Sequence, residues 1–67
     1  MLSLEIGDKI QWSSAEGVLI GIIKRIYISM NGKDIMVPWM VIENNNRTVT
    51  LCASDQNLKM MRVYFLA

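Results

Sequence analysis

Histidine is absent from this chain of 67 residues, and cysteine occurs once, at Cys52. Without histidine, neither a Ser–His nor a Cys–His pair can activate a nucleophile. A single thiol cannot form a disulfide within the chain, nor can it complete a structural zinc site, which needs about four nitrogen or sulfur ligands. The six acidic residues lack the spacing of paired catalytic carboxylates, and no glycine-rich phosphate loop occurs. The sequence therefore predicts a protein that is not an enzyme and that needs no metal or cofactor.

Long apolar runs are also missing. A transmembrane helix needs about 20 consecutive apolar residues, and every run here is interrupted by polar or charged segments at 24–25, 31–34 and 43–47. The first six residues lack the basic start and apolar stretch of a signal peptide. We therefore expect a cytoplasmic protein with no membrane segment, which agrees with its unpaired thiol.

Net charge is small, at +1, and this disfavours strong electrostatic capture of nucleic acid. Apolar residues make up 52% of the chain, whereas the interior of a five-stranded barrel holds roughly 20 side chains, from one inward face per strand. The surplus must lie on the surface or in an interface. We expect one domain, residues 1–67, near the lower size at which a chain folds alone.

The apolar pattern predicts five strands, at about residues 9–13, 18–30, 34–43, 48–52 and 61–66. The second strand is rich in β-branched residues, which disfavour a helix. Its alternation slips at Lys24–Arg25, and Gly21 lies a few residues earlier. A glycine followed by a slip predicts a bulged strand that turns a barrel corner. The residues predicted to face inward are Ile10, Gly21, Ile23, Ile26, Val49, Leu51 and Val63.

Turn residues separate these strands. We predict turns at Ala15–Gly17, at Asn31–Gly32, which is a strong hairpin signal, and at Asn44–Arg47. Pro38 cannot donate to a ladder, so we expect an edge or a bulge there. Residues 54–59 suit a single 3₁₀ turn before the last strand, capped by Ser54 or Asp55.

The opening of the chain resembles a known group of small domains. Gly7-Asp8-Lys9-Ile10, the aromatic Trp12, Glu16-Gly17 and the segment Gly21–Ile26 are similar to the start of Tudor-type and KOW-type domains, including bacterial hypervirulence-associated Tudor-like proteins. The specific match covers roughly 20 residues, from Gly7 to Ile26, while the strand layout fits the whole chain. The resemblance implies an all-β fold, a small five-stranded barrel of the Src-homology-3-like kind.

The resemblance also suggests an aromatic cage for a methylated side chain, but the residues opposite Trp12 disfavour it. Trp12 aligns with a wall of the aromatic cage of methyl-reading Tudor domains, and such a cage needs several rings around a cation. The opposing positions here are Leu19 and Ile20. We therefore interpret Trp12 as a core or interface residue, and Cys52 as a small core residue.

The methionines favour a protein-binding role. Six of the 67 residues are methionine, and flexible thioethers are enriched at adaptable binding surfaces. In the third strand one face carries Met36, Pro38, Met40 and Ile42, and the other carries Ile35, Val37, Trp39 and Val41. Only one face can line a small core, so the other face is expected to form an interface. The alternative is that the methionines fill the core. The residues predicted to bind a protein partner are Trp39, Met36, Met40, Ile42 and Tyr64.

We expect either a homo-oligomer or a tight complex with another protein. Strand five or strand three would pair across a two-fold axis, because an unprotected apolar edge otherwise invites aggregation.

The alternative function is binding of RNA or DNA, as in KOW-type relatives. The candidate phosphate-binding residues are Lys24, Arg25, Arg47 and Arg62, together with Lys33 and Lys59. Tyr27, Trp39 and Tyr64 would supply stacking surfaces. The simpler interpretation is that these charges are solvated and keep the barrel in solution.

A second resemblance points to a third function. Ile35–Trp39, with Ser54–Leu58 later, is similar to an element of phage proteins that sequester nucleotide signals. In those proteins the two halves are nearly adjacent, whereas here 14 residues, Met40–Ala53, separate them. The resemblance implies small-ligand binding.

Overall fold

A computed structural model describes residues 4–31 and 35–66, which form one antiparallel five-stranded sheet and one short helix. The elements are β1 (Lys9–Ser14), β2 (Gly17–Asn31), β3 (Ile35–Asn44), β4 (Arg47–Cys52), α1 (Asp55–Met60) and β5 (Tyr64–Phe65). Their order across the sheet is β4-β3-β2-β1-β5. The predicted all-β class and the five strands are confirmed.

The long strand β2 joins the two halves of the sheet. Its first part pairs with β1, from Gly17 to Ile22, and its second part pairs with β3, from Ile22 to Asn31. The register shifts between Ile23 and Arg25, which leaves Lys24 as an extra residue. The predicted bulge is confirmed, and it returns Ile26 to the face that Ile23 occupies.

Gly21 is buried, one residue before the pairing of β2 with β3 begins at Ile22. A Cβ built on Gly21 would overlap Cγ2 of Ile42 and would lie 2.7 Å from the carbonyl oxygen of Glu43. Glycine is needed here because the neighbouring backbone leaves no room for a side chain.

The core lies on one face of the sheet. Its buried members are Ile10, Trp12, Ile23, Met40, Ile42, Leu58 and Val63. Of the residues predicted to face inward, Ile10, Gly21, Ile23 and Val63 are buried, and Ile26, Val49 and Leu51 pack against the core while partly exposed. Trp12 is confirmed as a core residue. Cys52 is only half-buried, and its thiol lies 3.4 Å from the Ser54 hydroxyl.

The segment before β5 is an α-helix, so the predicted 3₁₀ turn is wrong in type. Both Leu58 and Met61 donate backbone hydrogen bonds four residues back, to Ser54 and Asn57. Ser54, one of the two residues predicted to cap this segment, is the N-cap. Its side chain accepts a hydrogen bond from the backbone amide of Asn57. Tertiary contacts stabilise this short helix, because Leu58 is buried in the core. No helix in residues 4–31 and 35–66 is long and apolar enough to cross a membrane.

The last strand is much shorter than predicted, because residues 61–63 end the helix. Arg62 has a φ of +52°. Its amide donates to the carbonyl of Lys59, and the amide of Val63 donates to that of Leu58. These bonds form a Schellman motif. Such a motif is usually accompanied by a hydrophobic contact between the residues at its two ends, which here are Leu58 and Val63 in the core. Only Tyr64 and Phe65 remain to pair with β1.

Two of the three predicted turns, at Ala15–Gly17 and Asn44–Arg47, lie within the described residues and fall where expected. Asn45 and Asn46 both have positive φ, as a two-residue hairpin turn between β3 and β4 requires. Asn31 pairs with Ile35, while Gly32 of the predicted Asn31–Gly32 turn lies outside the described residues. Pro38 lies just beyond the end of β4, whose pairing with β3 starts at Trp39. It is therefore at an edge, one of the two predicted settings.

Candidate functional site

A two-stranded ribbon extends beyond the rest of the sheet. We call it the arm, and it consists of residues 27–31 of β2 and 35–39 of β3. The two segments pair with each other, whereas β1 pairs with β2 only up to Ile22 and β4 pairs with β3 only from Trp39. The molecule is correspondingly elongated, with extents of 34 × 23 × 21 Å.

One face of the arm continues the core-facing side of the sheet. The cross-strand pairs along this face are Ile26 with Met40, Ile28 with Pro38, and Met30 with Met36. Met40 is fully buried, but Ile28, Met30 and Met36 are each about three-fifths exposed, at 61%, 59% and 65%. The helix and the sheet cover the core and stop short of the arm. We call the four residues beyond that cover the arm patch: Ile28, Met30, Met36 and Pro38.

The opposite face of the arm is aromatic. Tyr27 pairs with Trp39 across the two strands, and both side chains are half-buried. The guanidinium carbon of Arg25 lies 5.1 Å from the centre of the Tyr27 ring, a cation–π geometry. Ile35 adds an exposed apolar side chain on this face, at 53%. The arm therefore exposes apolar surface on both faces.

The structure separates the residues predicted to bind a protein. Met36 and Trp39 lie on the arm, on opposite faces. Met40 and Ile42 are fully buried in the core, so their side chains are not accessible to a partner, and their inclusion in the site is corrected. Tyr64 is exposed on β5, at the other end of the sheet.

Sequence reasoning omitted Ile28, Met30 and Pro38 from the site. The signal that identifies them is the slip at Lys24–Arg25 taken together with the hairpin, because these fix which residues of β2 face which residues of β3. The pattern alone does not show where the covering elements stop.

The basic residues are dispersed over the molecule. Lys24 and Arg25 are exposed at the bulge. Arg47 begins β4, where its guanidinium lies 3.9 Å from a carboxylate oxygen of Glu16, with both side chains largely exposed. Arg62 follows the helix, and Lys33 is outside the described residues. Among the described residues predicted to bind nucleic acid, the structure brings together two separate groups. Lys24, Arg25 and Tyr27 lie near the bulge, and Lys59, Arg62 and Tyr64 line one groove beside α1.

The described residues also line open hollows away from the arm, including one of about 660 Å³ where β2 meets the β3–β4 turn. An open groove of about 640 Å³ runs between α1 and β5, where Lys59 and Arg62 share the rim with Asp55. A smaller hollow of about 310 Å³ lies between the β1–β2 and β3–β4 turns, and Trp12 lines it. Because only 1% of Trp12 is exposed, its ring cannot serve as the wall of an open aromatic cage. Within the described ranges, no three acidic or cysteine side chains come close enough to hold a metal ion.

Comparisons with known proteins identify no relative of this chain. No protein-family model matches the chain, and no curated protein or solved structure shows a significant match.

Proposed function

We infer that this protein is a non-catalytic binding module that acts through a protein partner, and that the arm patch is the surface that binds it. The observation that carries the proposal is that Ile28, Met30 and Met36 form one exposed apolar surface in continuity with the core. Isolated exposed apolar residues are common, but a contiguous group of this kind is typical of an interaction site. Two of the four residues are methionines, whose flexible side chains adapt to partner surfaces.

We also propose that the sheet closes into a small, partly open barrel of the Src-homology-3-like kind, as the Tudor-type and KOW-type resemblance implies. Three features support this proposal. The strand order β5-β1-β2-β3-β4 places the first and last strands together, Gly21 and the bulge at Lys24 provide the bend, and a short helix precedes β5. Residues from β1, β2 and β3 share one core, as they would on the inner face of a curved sheet.

A pair of methionine substitutions tests the binding site. Met36→Lys places a charge on the arm patch, and Met60→Lys makes the same chemical change on α1, where Met60 is 73% exposed. We expect wild type and Met60→Lys to capture the same partner in a pull-down, and Met36→Lys to lose it. Capture through an apolar surface should persist in high salt. Loss of capture in both variants, or in neither, would refute the assignment to the arm patch.

The same pull-down distinguishes protein binding from the alternative function, nucleic-acid binding. That alternative is favoured by the position of the Arg25 guanidinium over the Tyr27 ring. Binding to phosphates weakens steeply as salt increases, because counterions are released. A Lys24→Gln, Arg25→Gln double variant that loses a nuclease-sensitive, salt-labile ligand would favour that function. Unchanged capture by the double variant is the result we expect.

A further inference from the structure

β2 has one edge that is paired only along its first half. From Gly17 to Ile22 this edge pairs with β1, and Gly7 and Asp8 extend the contact by backbone hydrogen bonds to Ile23. From Ile26 onward, no backbone group within residues 4–31 and 35–66 bonds to this edge. The second half of β2 therefore has a free edge.

The contacts of Pro38 show which backbone groups point to that free edge. The carbonyl of Pro38 accepts from the amide of Ala53 at 2.8 Å, so Pro38 directs its backbone polar groups away from β2. Its cross-strand partner Ile28 must then direct its own N–H and C=O away from β3, since the two form a non-hydrogen-bonded pair. By alternation, the same holds for Ile26 and Met30. Three residues thus present unpaired donors and acceptors on one line.

Residues 26–30 carry none of the side chains that usually protect an edge strand. Proteins protect edge strands with proline, lysine or inward-pointing charges. Residues 26–30 are Ile-Tyr-Ile-Ser-Met, and the bulge and Pro38 lie outside this run, at Lys24 and on β3. An apolar, uncharged edge about five residues long is suited to pairing with another strand.

We propose that a second copy of this chain pairs with it along this edge, with the two β2 strands antiparallel and a two-fold axis at Ile28. In this register Ile28 faces Ile28 of the second copy, and Ile26 faces Met30. All three outward-pointing residues of each copy then form hydrogen-bonded pairs, about six bonds in total. Within the described residues, a shift of the axis to Ser29 leaves only about four bonds, between Ile28 and Met30 of opposite copies, so the symmetric register at Ile28 is favoured.

The charges are compatible with this occupant. Arg25 lies three residues from the axis, so the two Arg25 residues are separated by about 20 Å along the strands. That distance exceeds the Debye length of about 8 Å at physiological ionic strength. Lys24 lies farther out still. Along residues 17–31 of the two β2 strands, pairing therefore brings no like charges together, whereas an acidic or basic peptide would gain no opposite charge along residues 26–30.

The dimer also enlarges the surface that we propose for partner binding, and to that extent the inference rests on the proposed function. Ile28 and Met30 of both copies lie on the same face of the joined sheet, so the two arm patches become continuous. A fully exposed aliphatic side chain presents roughly 100 Å², so one arm patch offers only a few hundred Å². Specific interfaces bury about 800 Å² on each partner. Doubling the patch brings it toward that size.

Two proline substitutions on the arm test the edge directly. Ile28→Pro removes an N–H that points to the free edge of β2, without removing a bond to β3. Met36→Pro is the matched control, because by the same alternation the Met36 N–H points to the opposite edge, beyond the end of β4. In sedimentation at about 100 μM we expect dimers of wild type and Met36→Pro. Ile28→Pro should bind itself at least tenfold more weakly, with an unchanged circular dichroism spectrum.

A cysteine variant tests the register even if a proline disturbs the arm. In a Cys52→Ser background, Ile28→Cys should form an intermolecular disulfide on mild oxidation, since residues facing each other in such a pair have Cα atoms about 5.5 Å apart. Ser29→Cys is the control. The two copies of Ser29 would lie roughly 8 Å apart, beyond disulfide range.

The outcomes are decisive in each case. A wild-type monomer at 100 μM, species that grow beyond a dimer, equal dimerisation of the two proline variants, or equal crosslinking of the two cysteine variants would overturn the proposal. If dimerisation is absent but Met36→Lys still abolishes partner capture, only the pairing of two copies is refuted. If dimers form but Met36→Lys retains capture, the proposed binding surface is refuted instead.

Discussion

Replacing Gly21 by alanine should destabilise the fold more than any other single added methyl group in β2. The new Cβ would overlap Cγ2 of Ile42 and lie 2.7 Å from the Glu43 carbonyl oxygen. Ile42 is fully buried, so its side chain has little freedom to move, and the Glu43 oxygen is backbone. Overpacking of this kind costs about 1–3 kcal/mol.

This destabilisation is a large fraction of the total free energy of unfolding of so small a protein. At roughly 0.05–0.15 kcal/mol per residue, a chain of 67 residues has a free energy of unfolding of about 3–10 kcal/mol. The reduced flexibility of alanine in the unfolded chain returns about 0.5–1 kcal/mol. The net loss of free energy of unfolding should therefore reach about 2–2.5 kcal/mol if the overlap costs the upper value of about 3 kcal/mol, and Gly21→Val should lose more.

Urea unfolding followed by tryptophan fluorescence measures this change, because Trp12 is buried in the core and reports its exposure. Ile42→Ala removes the methyl that the new Cβ would overlap. In a double-mutant cycle, the loss in the Gly21→Ala, Ile42→Ala variant should therefore be smaller than the sum of the two single losses. If Gly21→Ala is as stable as wild type, the close approach is not what requires glycine. If the two losses simply add, the overlap with Ile42 does not contribute, and the Glu43 carbonyl oxygen alone would account for the loss.

Three further predictions concern local features. Arg62→Gly should raise the free energy of unfolding by up to about 1 kcal/mol, because Arg62 has a φ of +52°; a thermal melt that is unchanged or lower would refute the idea that the helix end is strained. Ser54→Ala should lower the free energy of unfolding, measured by urea unfolding, by about 1 kcal/mol through loss of the N-cap. Ser54→Asp should retain most of the stabilisation that the N-cap provides. Arg47→Ala should change the free energy of unfolding by less than about 0.5 kcal/mol, since the pair with Glu16 is exposed and 3.9 Å long; a larger loss in the same assay would contradict this.

The strands and the bend could be predicted from local pattern. Alternation in β1 and β4, the β-branched residues of β2 and the slip at Lys24–Arg25 all act between near neighbours, so they are visible without the fold. The α1 helix and the short β5 were not predicted correctly, because Leu58 and Val63 are fixed by packing in the core. That packing also holds Arg62, a residue that does not signal a helix end, in a left-handed conformation.

The sequence by itself determined that the chain forms an all-β sheet with a bulged second strand, and that it carries more apolar side chains than its interior needs. It did not determine which of those side chains are exposed. Met36 and Met40 share one face of β3, yet Met40 is fully buried and Met36 is 65% exposed. The difference depends on where the covering elements stop along the strand, which only the tertiary structure decides.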